Sequence, residues 1–354
     1  MSRYAFLLLP SFNRVYARAS AGLAHAELEV FAAVLDGQIS DPGITEIAGV
    51  PYVTFDGDDL TPRDADLLSN LSSLYALFEL SDDPLRPQSR PLLRPVPARR
   101  LDRLDDDLIT ILKYQGKTNE QFTKLLLNVT LLSSAFAADM LDRRFTVLDP
   151  LCGRGTTLNQ ALMYGFDAYG MDIDKRDIET YSAFIQRWLK DKRLKHQAEF
   201  IPVRRDKRLV ARRLRASFAA TKEDYKAGDV QELDVVIAEA SKAAEFFRAE
   251  SADLIVADAP YGIQHGSHSG GGHSDLSRDP LRLLGECAPA WARVLRPGGA
   301  LGISWNTFVA KRDDAADIFA DAGLDVLDDG PYRNFRHRVD QAINRDIIVA
   351  RKPR

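Results

Sequence analysis

Residues 145–157 read FTVLDPLCGRGTT and carry the strongest structural signal in the chain. A short apolar run ends at Asp149 and passes directly into a turn that contains Gly153 and Gly155. This order predicts a buried strand, a glycine turn and the start of a helix, which together form a nucleotide-type ligand site at the carboxyl end of a strand. Because a third glycine and a G-K-[ST] sequence are both missing, the pattern fits neither the dinucleotide fingerprint nor the P-loop.

A second motif, DLIVADAPYG, occupies residues 253–262. Its apolar half predicts another buried strand, and Asp258, Pro260 and Tyr261 follow at the strand end, where open α/β sheets bind ligands. An exocyclic amine on a nucleic-acid base is a poor nucleophile, because its lone pair is delocalised into the ring. A carboxylate and a backbone carbonyl held by proline can orient such an amine and accept its hydrogens, and a tyrosine ring can stack on an extruded base.

Taken together, DPLCGRGTT and DLIVADAPYG resemble the S-adenosylmethionine-dependent methyltransferases that modify exocyclic amino groups of nucleic-acid bases. Within that group the chain is most similar to the tRNA guanosine-N2 methyltransferases. The resemblance covers residues 108–354 well and the first hundred residues only vaguely. It implies a class I methyltransferase domain, with a Rossmann-like, seven-stranded mixed sheet whose last strand is antiparallel, and S-adenosylmethionine as cofactor. Family members usually have proline where this chain has Ala259, which weakens any assignment of base identity.

The resemblance implies a catalytic set of Asp258, Pro260 and Tyr261. Asp258 would orient the amine and Tyr261 would stack on the base. The predicted cofactor-binding residues are Thr118, Phe122, Asp149, Gly153, Gly155, Thr156, Asp172 and Glu239.

Several of these assignments have a physical basis and an alternative. Asp172 ends a predicted strand about twenty residues after the glycine turn, where an acid that binds ribose belongs, and Asp174 is expected to cap the next helix. Glu239 is expected to accept from the adenine amino group, and Asp229 is the competing assignment.

The segment GKTNEQFTKLLLN lies just ahead of the glycine-turn strand, and its equivalent in the resembled families closes over the methionine end of the cofactor. We place Thr118, Phe122 and Thr123 there. Helical spacing also allows Phe122 to be a core residue together with Leu126 and Val129.

The domain prediction is a small α+β unit over residues 1–83, a Pro- and Arg-rich linker over 84–100, and the methyltransferase domain over 101–354. Alternating strand and helix patterns in the first unit suggest a ferredoxin-like arrangement. The first unit is too short for a full THUMP RNA-binding domain in addition. It could be a substrate-binding module or a packing module.

Two further segments allow competing interpretations. Residues 196–228 are basic and form either a hairpin that turns near Asp206–Lys207 or a helix, and they are the best local candidate for binding a phosphate backbone. Residues 263–277, IQHGSHSGGGHSDLS, suggest a lid beside the site. The histidines of that loop could alternatively hold a metal, although no cysteine or helical spacing supports this, so no metal is predicted.

Composition sets the remaining limits. The chain has 354 residues and a net charge of −4, so a nucleic-acid-binding surface must be local. Two cysteines and no membrane-spanning run predict a cytoplasmic protein in a reducing compartment.

The expected partner is a nucleic acid, with tRNA first. A small activating protein works with a eukaryotic member of the resembled family and is therefore a further expectation. DNA adenine-N6 or cytosine-N4 methylation and a catalytically silent nucleic-acid-binding role are the rival functions.

Overall fold

The computed structural model describes residues 1–82, 91–97, 99–114, 117–260 and 280–354. In chain order the strands are β1 (Ser2–Leu8), β2 (Ile39–Ile47), β3 (Val50–Gly57), β4 (Leu74–Ser81), β5 (Leu92–Pro95), β6 (Thr146–Asp149), β7 (Asp167–Asp172), β8 (His196–Arg205), β9 (Arg208–Phe218), β10 (Gln231–Ile237), β11 (Ala252–Asp258), β12 (Leu295–Asn306), β13 (Asp325–Leu327), β14 (His337–Arg338) and β15 (Asn344–Arg351). The α-helices are α1 (Arg14–Ala32), α2 (Pro62–Leu68), α3 (Asp107–Thr110), α4 (Glu120–Leu132), α5 (Thr156–Met163), α6 (Lys175–Asp191), α7 (Lys222–Ala227), α8 (Ala243–Phe246), α9 (Pro280–Val294) and α10 (Arg312–Asp321).

The first four strands and two helices follow a β-α-β-β-α-β order and form an antiparallel sheet arranged β2-β3-β1-β4. This is the ferredoxin-like arrangement suggested by the sequence. The sequence pattern did not reveal β2, because Asp41, Pro42 and Gly43 have low strand propensity. The register of β2 against β3 shifts between Ser40 and Gly43, which shows that a bulge accommodates these residues.

The large sheet has the order β13-β15-β12-β11-β6-β7-β10-β9-β8, with β14 paired to β15. Strands β6, β7, β10, β11 and β12 are parallel to one another, and β15 runs antiparallel to β12. These seven strands, with β13 and β15 at one side, confirm the predicted class I methyltransferase arrangement. Their parallel part places the carboxyl ends of five strands on one edge.

The basic segment forms a hairpin, β8–β9, that extends this sheet beyond β10. Arg205 pairs with Arg208 across a two-residue turn. Both turn residues, Asp206 and Lys207, have positive φ angles of 48° and 65°, as a tight hairpin turn requires. Of the two structures that the sequence allowed, the hairpin is therefore the one that forms.

Strand β5 lies inside the segment that the sequence predicts as a linker. It pairs antiparallel with β4 at the edge of the small sheet, so this part of the segment is ordered as a strand rather than as a spacer. The prolines on either side of it fit an edge strand, because an edge position leaves some N–H groups unpaired in any case.

The small sheet and the large sheet share a buried core, and a polar cluster crosses between them. Glu27 on α1 is fully buried and accepts hydrogen bonds from the Ser72 N–H at 3.0 Å and from the Asn128 amide on α4 at 2.8 Å. Tyr164 donates to the Asn128 carbonyl at 2.8 Å. Among the described residues, no helix has both the length and the apolar character needed to cross a membrane.

Candidate active site

The candidate site lies where the parallel strands end. Asp149 is the last residue of β6, Asp172 of β7 and Asp258 of β11, and β10 ends two residues before Glu239. Because parallel strands bring their carboxyl ends to one edge, four carboxylates from separate parts of the sequence are placed along it.

The glycine turn links two of these strands. The Gly153 N–H donates to Asp172 at 2.8 Å, so the end of β7 fixes the turn after β6. Gly155 has φ +80°, and a Cβ added there would overlap with the ring of Tyr181. At Gly153, φ is +48° and an added Cβ would meet no atom of the described residues within 4 Å. Gly155 is therefore required for packing, whereas Gly153 borders open space.

Thr156 begins α5 directly after this turn. Its hydroxyl is hydrogen-bonded to the Tyr114 hydroxyl at 3.0 Å. This contact joins the start of the helix, next to the glycine turn, to the segment ahead of α4.

Asp149 is buried at the base of the turn. It accepts a hydrogen bond from the Leu151 N–H at 3.0 Å. Burial raises the pKa of Asp149 to about 7, and the negative charges of Asp172 and Asp258 act in the same direction. The carboxylates at this edge of the sheet therefore repel one another, and a cationic ligand bound there would offset that repulsion.

Asp172 holds local backbone with both of its oxygens, because it accepts from Gly153 and, at 2.8 Å, from the Asp174 N–H. Each carboxylate oxygen has a second lone pair, so ribose hydroxyls could still donate to it. Burial raises the pKa of Asp172. Asp174 caps α6 by accepting from the N–H groups of Arg176 and Asp177, as predicted.

The two candidates for the adenine contact lie at opposite edges. Glu239 follows β10 at the carboxyl edge and pairs with Lys242 at 3.2 Å. Asp229 precedes β10 and forms an ion pair with Arg144. Only Glu239 is on the side of the glycine turn.

Within the described part of the chain, three side chains contact Asp258. The Thr118 hydroxyl donates to it at 2.6 Å, the Ser304 hydroxyl donates to its other oxygen, and the Arg345 guanidinium lies 3.6 Å away. Ser304 lies opposite Asp258 on β12, and Arg345 is the second residue of β15. The carboxylate is thus fixed in one orientation at the strand end.

The residues after Asp258 show how the departure from the resembled family is accommodated. The Ala259 N–H donates to the Ser304 carbonyl at 2.8 Å. Proline has no N–H and could not form this bond. Pro260 is exposed beside it. Tyr261 and the loop 263–277 lie outside the described residues.

Phe122 occupies a different position from the predicted cofactor contact. Its side chain is fully buried, and its ring lies under the Arg345 guanidinium at 4.1 Å and beside the His337 ring at 5.2 Å. This favours the interpretation of Phe122 as a core residue, because its buried ring packs against Arg345 and has no exposed surface for a ligand. Thr123 is likewise buried and donates to the Asn119 carbonyl.

Sequence reasoning missed Ser304 and Arg345. Arg345 and Asp346 precede the apolar run IIVA near the start of β15, and Arg345 is only 3% exposed. A buried charge normally needs a partner of opposite charge, so an arginine at the start of a buried strand was the available signal. Ser304 gave no comparable signal, because a serine inside a β-strand is unremarkable.

The basic hairpin is partly neutralised within the protein. Arg205 pairs with Glu245 at 2.6 Å, and both Arg213 and Arg215 pair with Asp234. Three of the arginines that suggested a phosphate-binding surface thus have internal partners, which weakens the expectation for this hairpin.

The site fits an adenosine-type cofactor in two respects. The open space beside Gly153 admits a ligand against the turn, and carboxylate acceptors follow along the strand ends. Among the residues that the structure describes, no cluster of histidine, cysteine and carboxylate side chains could hold a metal ion. The three histidines of the loop 263–277 are outside that part of the chain.

Comparison with known proteins gives likenesses in structure alone. No protein-family model and no curated protein matches the sequence. TrmN from Thermus thermophilus aligns with 99% of this chain and 100% of its own, at 13% identity and a TM-score of 0.42. The N-methyltransferase NodS from Bradyrhizobium japonicum aligns with 71% of this chain and 100% of its own, at 13% identity and a TM-score of 0.38.

A third similar structure is the 16S rRNA N2 G1207 methyltransferase RsmC from T. thermophilus, in complex with AdoMet and guanosine. It matches 61% of this chain and 38% of its own, at 14% identity and a TM-score of 0.30. At such low values these likenesses concern the fold, and the function has to be argued from the site.

Proposed function

We propose that this protein is an S-adenosylmethionine-dependent methyltransferase that acts on an exocyclic amino group of a nucleic-acid base, with guanosine N2 in tRNA as the specific substrate. The observation that carries the proposal is the fixation of Asp258 by Thr118, Ser304 and Arg345, at the strand end next to the glycine turn. A carboxylate held in this way is pre-positioned to accept hydrogens from an amine.

The cofactor supplies a methyl group on a positively charged sulfur. Asp172 would accept from the ribose hydroxyls, Glu239 from the adenine amino group, and the turn at Gly153 would approach the ligand closely. The buried Asp149 supports the turn through Leu151. A cationic ligand at this edge also relieves the mutual repulsion of its carboxylates.

In the proposed reaction Asp258 accepts a hydrogen bond from the amine, so that the nitrogen lone pair is directed toward the methyl carbon. The carbonyl beside Pro260 provides a second acceptor. The new N–C bond would form as the S–CH3 bond of the cofactor breaks, which leaves S-adenosylhomocysteine with a neutral sulfur. Asp258 would stabilise the positive charge that develops on the nitrogen and accept the proton that the nitrogen releases. Tyr261 is proposed to stack on the base.

The test is methyl transfer from methyl-labelled S-adenosylmethionine to tRNA, rRNA and genomic DNA, followed by digestion to nucleosides. Label in N2-methylguanosine from tRNA supports the proposal. Label in DNA adenine or cytosine would show that the substrate is DNA and not RNA. Cofactor binding without transfer to any of the three would indicate a missing activating partner or a silent binding protein.

A variant of the catalytic carboxylate gives the matched control. Asp258→Ala should reduce methyl transfer by at least about 100-fold, because it removes the acceptor for the amine. Cofactor affinity, measured by calorimetry, should stay near the wild-type value. Normal methylation by this variant would show that the chemistry takes place elsewhere.

A further inference from the structure

A basic groove runs between helix α1 and the segment 334–338 that leads into the last strand of the large sheet. It has a volume of about 370 Å³. Val15, Arg18 and Gly22 line one side, and Asn334, Arg336 and Arg338 line the other. The groove therefore lies between the ferredoxin-like unit and the methyltransferase sheet, and both contribute positive charge to it.

The charges in the groove are available to a ligand. Arg18, Arg336 and Arg338 are exposed. Within the described part of the chain, none of the three forms an ion pair with a carboxylate; Arg338 donates only to the Asp340 backbone carbonyl, at 2.8 Å. This differs from the hairpin β8–β9, where several arginines have acidic partners in the protein.

The local backbone fixes the direction of these arginines. Residues 335–338 alternate, with Phe335 and His337 buried and Arg336 and Arg338 exposed. Strand β14 pairs with β15 through His337 opposite Arg345. Because side chains alternate across a strand, this pairing directs Arg338 away from the buried face that His337 occupies. Arg336 and Arg338 are both exposed, and both line the groove.

The same pairing connects the groove to the candidate active site. His337 lines the groove and contacts the ring of Phe122, which supports Arg345, and Arg345 is 3.6 Å from Asp258. The groove and the carboxylate are thus on two sides of one wall of side chains.

An exposed aromatic residue precedes helix α1, three residues before Val15 of the groove. Phe12 is fully exposed, two residues before α1 begins. Its neighbour Ser11 accepts a hydrogen bond from Asn119 at 3.2 Å, and Asn119 follows Thr118, the donor to Asp258. The ring therefore lies at the end of α1 that is nearest to the proposed chemistry.

We propose that this groove binds the phosphodiester backbone of a single strand of the RNA substrate, with phosphates at Arg18, Arg336 and Arg338 and a base stacked on Phe12. The inference rests on the proposed nucleic-acid substrate. Unpaired arginines beside an aromatic ring form the combination that binds single-stranded nucleic acid. The strand so held lies against the wall of His337, Phe122 and Arg345, whose other side carries Asp258.

The test uses the full chain and fluorescein-labelled tRNA, with binding followed by fluorescence anisotropy from about 50 to 200 mM salt. The variant combines Arg18→Gln, Arg336→Gln and Arg338→Gln. It should weaken binding about 10- to 100-fold at 0.1 M salt and reduce the slope of log K against log salt by about 2, as expected for three lost contacts to a single strand. A matched control combines Arg204→Gln, Arg208→Gln and Arg212→Gln, which removes the same charge from the hairpin. The hairpin lies at the opposite edge of the large sheet from β14 and β15, so this control should change binding less than about threefold.

The outcomes separate this inference from the proposed activity. Loss of tRNA binding in the groove variant, with unchanged affinity for S-adenosylmethionine, supports the groove even if the wild-type protein transfers no methyl group. Equal loss in both variants, or loss in the hairpin variant alone, overturns it. Failure of the wild-type protein to bind tRNA overturns it as well, and methylation of DNA by the same protein would keep the enzyme while rejecting the RNA strand.

Phe12→Ala provides an independent readout, because it leaves every charge in place. It should raise KM for RNA at least about threefold with the salt slope unchanged, as expected from the loss of one stacking contact. An unchanged KM would remove Phe12 from the binding surface and overturn that part of the inference.

Discussion

At the scale of single residues, the two glycines of the turn have different roles although both adopt positive φ angles. Gly155 faces the ring of Tyr181, and Gly153 faces open space. From the sequence they are equivalent members of GRG. Only the position of Tyr181, which comes from a helix later in the chain, distinguishes them.

We therefore expect the same substitution to affect mainly stability at Gly155 and mainly ligand affinity at Gly153. Gly155→Ala should lower the free energy of unfolding by more than about 2 kcal/mol, because the left-handed backbone is unfavourable and the new methyl group meets the ring. Gly153→Ala should lower the free energy of unfolding by only about 1 kcal/mol, because the backbone conformation alone is unfavourable there. The same variant should reduce affinity for S-adenosylmethionine. Chemical denaturation and calorimetry measure the two quantities. Equal loss of stability in both variants with unchanged affinity would contradict the ligand position.

Arg345 provides a second prediction at this scale. Arg345→Met removes the cation beside Asp258 and should lower kcat about 10- to 100-fold, since the carboxylate loses one of the groups that orient it. The kcat of Arg345→Lys should lie between those of wild type and Arg345→Met, because lysine keeps the charge but not the planar contact with Phe122. Arg351→Met, on the same strand and farther from Asp258, is the control and should retain wild-type kcat. The positioning role is excluded if Arg345→Met is as active as wild type while the cofactor affinity is unchanged.

At the scale of elements, the hairpin β8–β9 has a tight turn whose residues are not the ones that such turns usually prefer. Its turn consists of Asp206 and Lys207, and both have positive φ angles. Most residues with side chains avoid this conformation, and asparagine followed by glycine is the favoured pair. The sequence left helix and hairpin open for this reason, because the usual signal for a hairpin turn is missing.

Replacing the turn with Asp206→Asn and Lys207→Gly should raise the free energy of unfolding by about 0.5 to 1 kcal/mol, since the strained backbone would be occupied by residues that tolerate it. Denaturant titration measures this change. The control is Lys222→Gly at the start of α7, where the backbone is helical and glycine should destabilise instead. Destabilisation by the turn variant would show that the hairpin geometry is different from that described.

At the scale of the whole molecule, the parallel core was predictable and the additions to it were not. The apolar runs that end in Asp149 and Asp258 are strong signals for buried parallel strands, and the family resemblance based on these two motifs implied the topology of the sheet. Strand β5 and the wall formed by Phe122 and Arg345 depend on contacts between distant segments. No local pattern in one sequence contains that information.

The polar cluster at Glu27 gives a prediction for the whole chain. Burial raises the pKa of Glu27 from 4.5 to about 7. A raised pKa means that the folded state holds this proton more tightly, so its contribution to stability is full below about pH 4.5 and is lost as the pH rises through 7. Glu27→Gln should remove about 3 kcal/mol of the decline in unfolding free energy between these pH values.

Denaturation at a series of pH values measures this slope. The slope is a separate readout from the constant cost of replacing one carboxylate oxygen with an amide group. Glu46→Gln on β2, an exposed position, should leave the slope unchanged. Parallel pH profiles for wild type and Glu27→Gln would show that Glu27 is ionised in the folded protein throughout this range.

The same cluster has a consequence for protein engineering. Glu27 comes from the ferredoxin-like unit and Asn128 from helix α4, which packs against the large sheet, and the two side chains share a hydrogen bond. A chimera that exchanges only the N-terminal unit would leave one of them buried without its partner, at a cost of about 1 to 3 kcal/mol. Interchangeable modules of this protein would therefore have to be cut so that Glu27, Ser72 and Asn128 travel together.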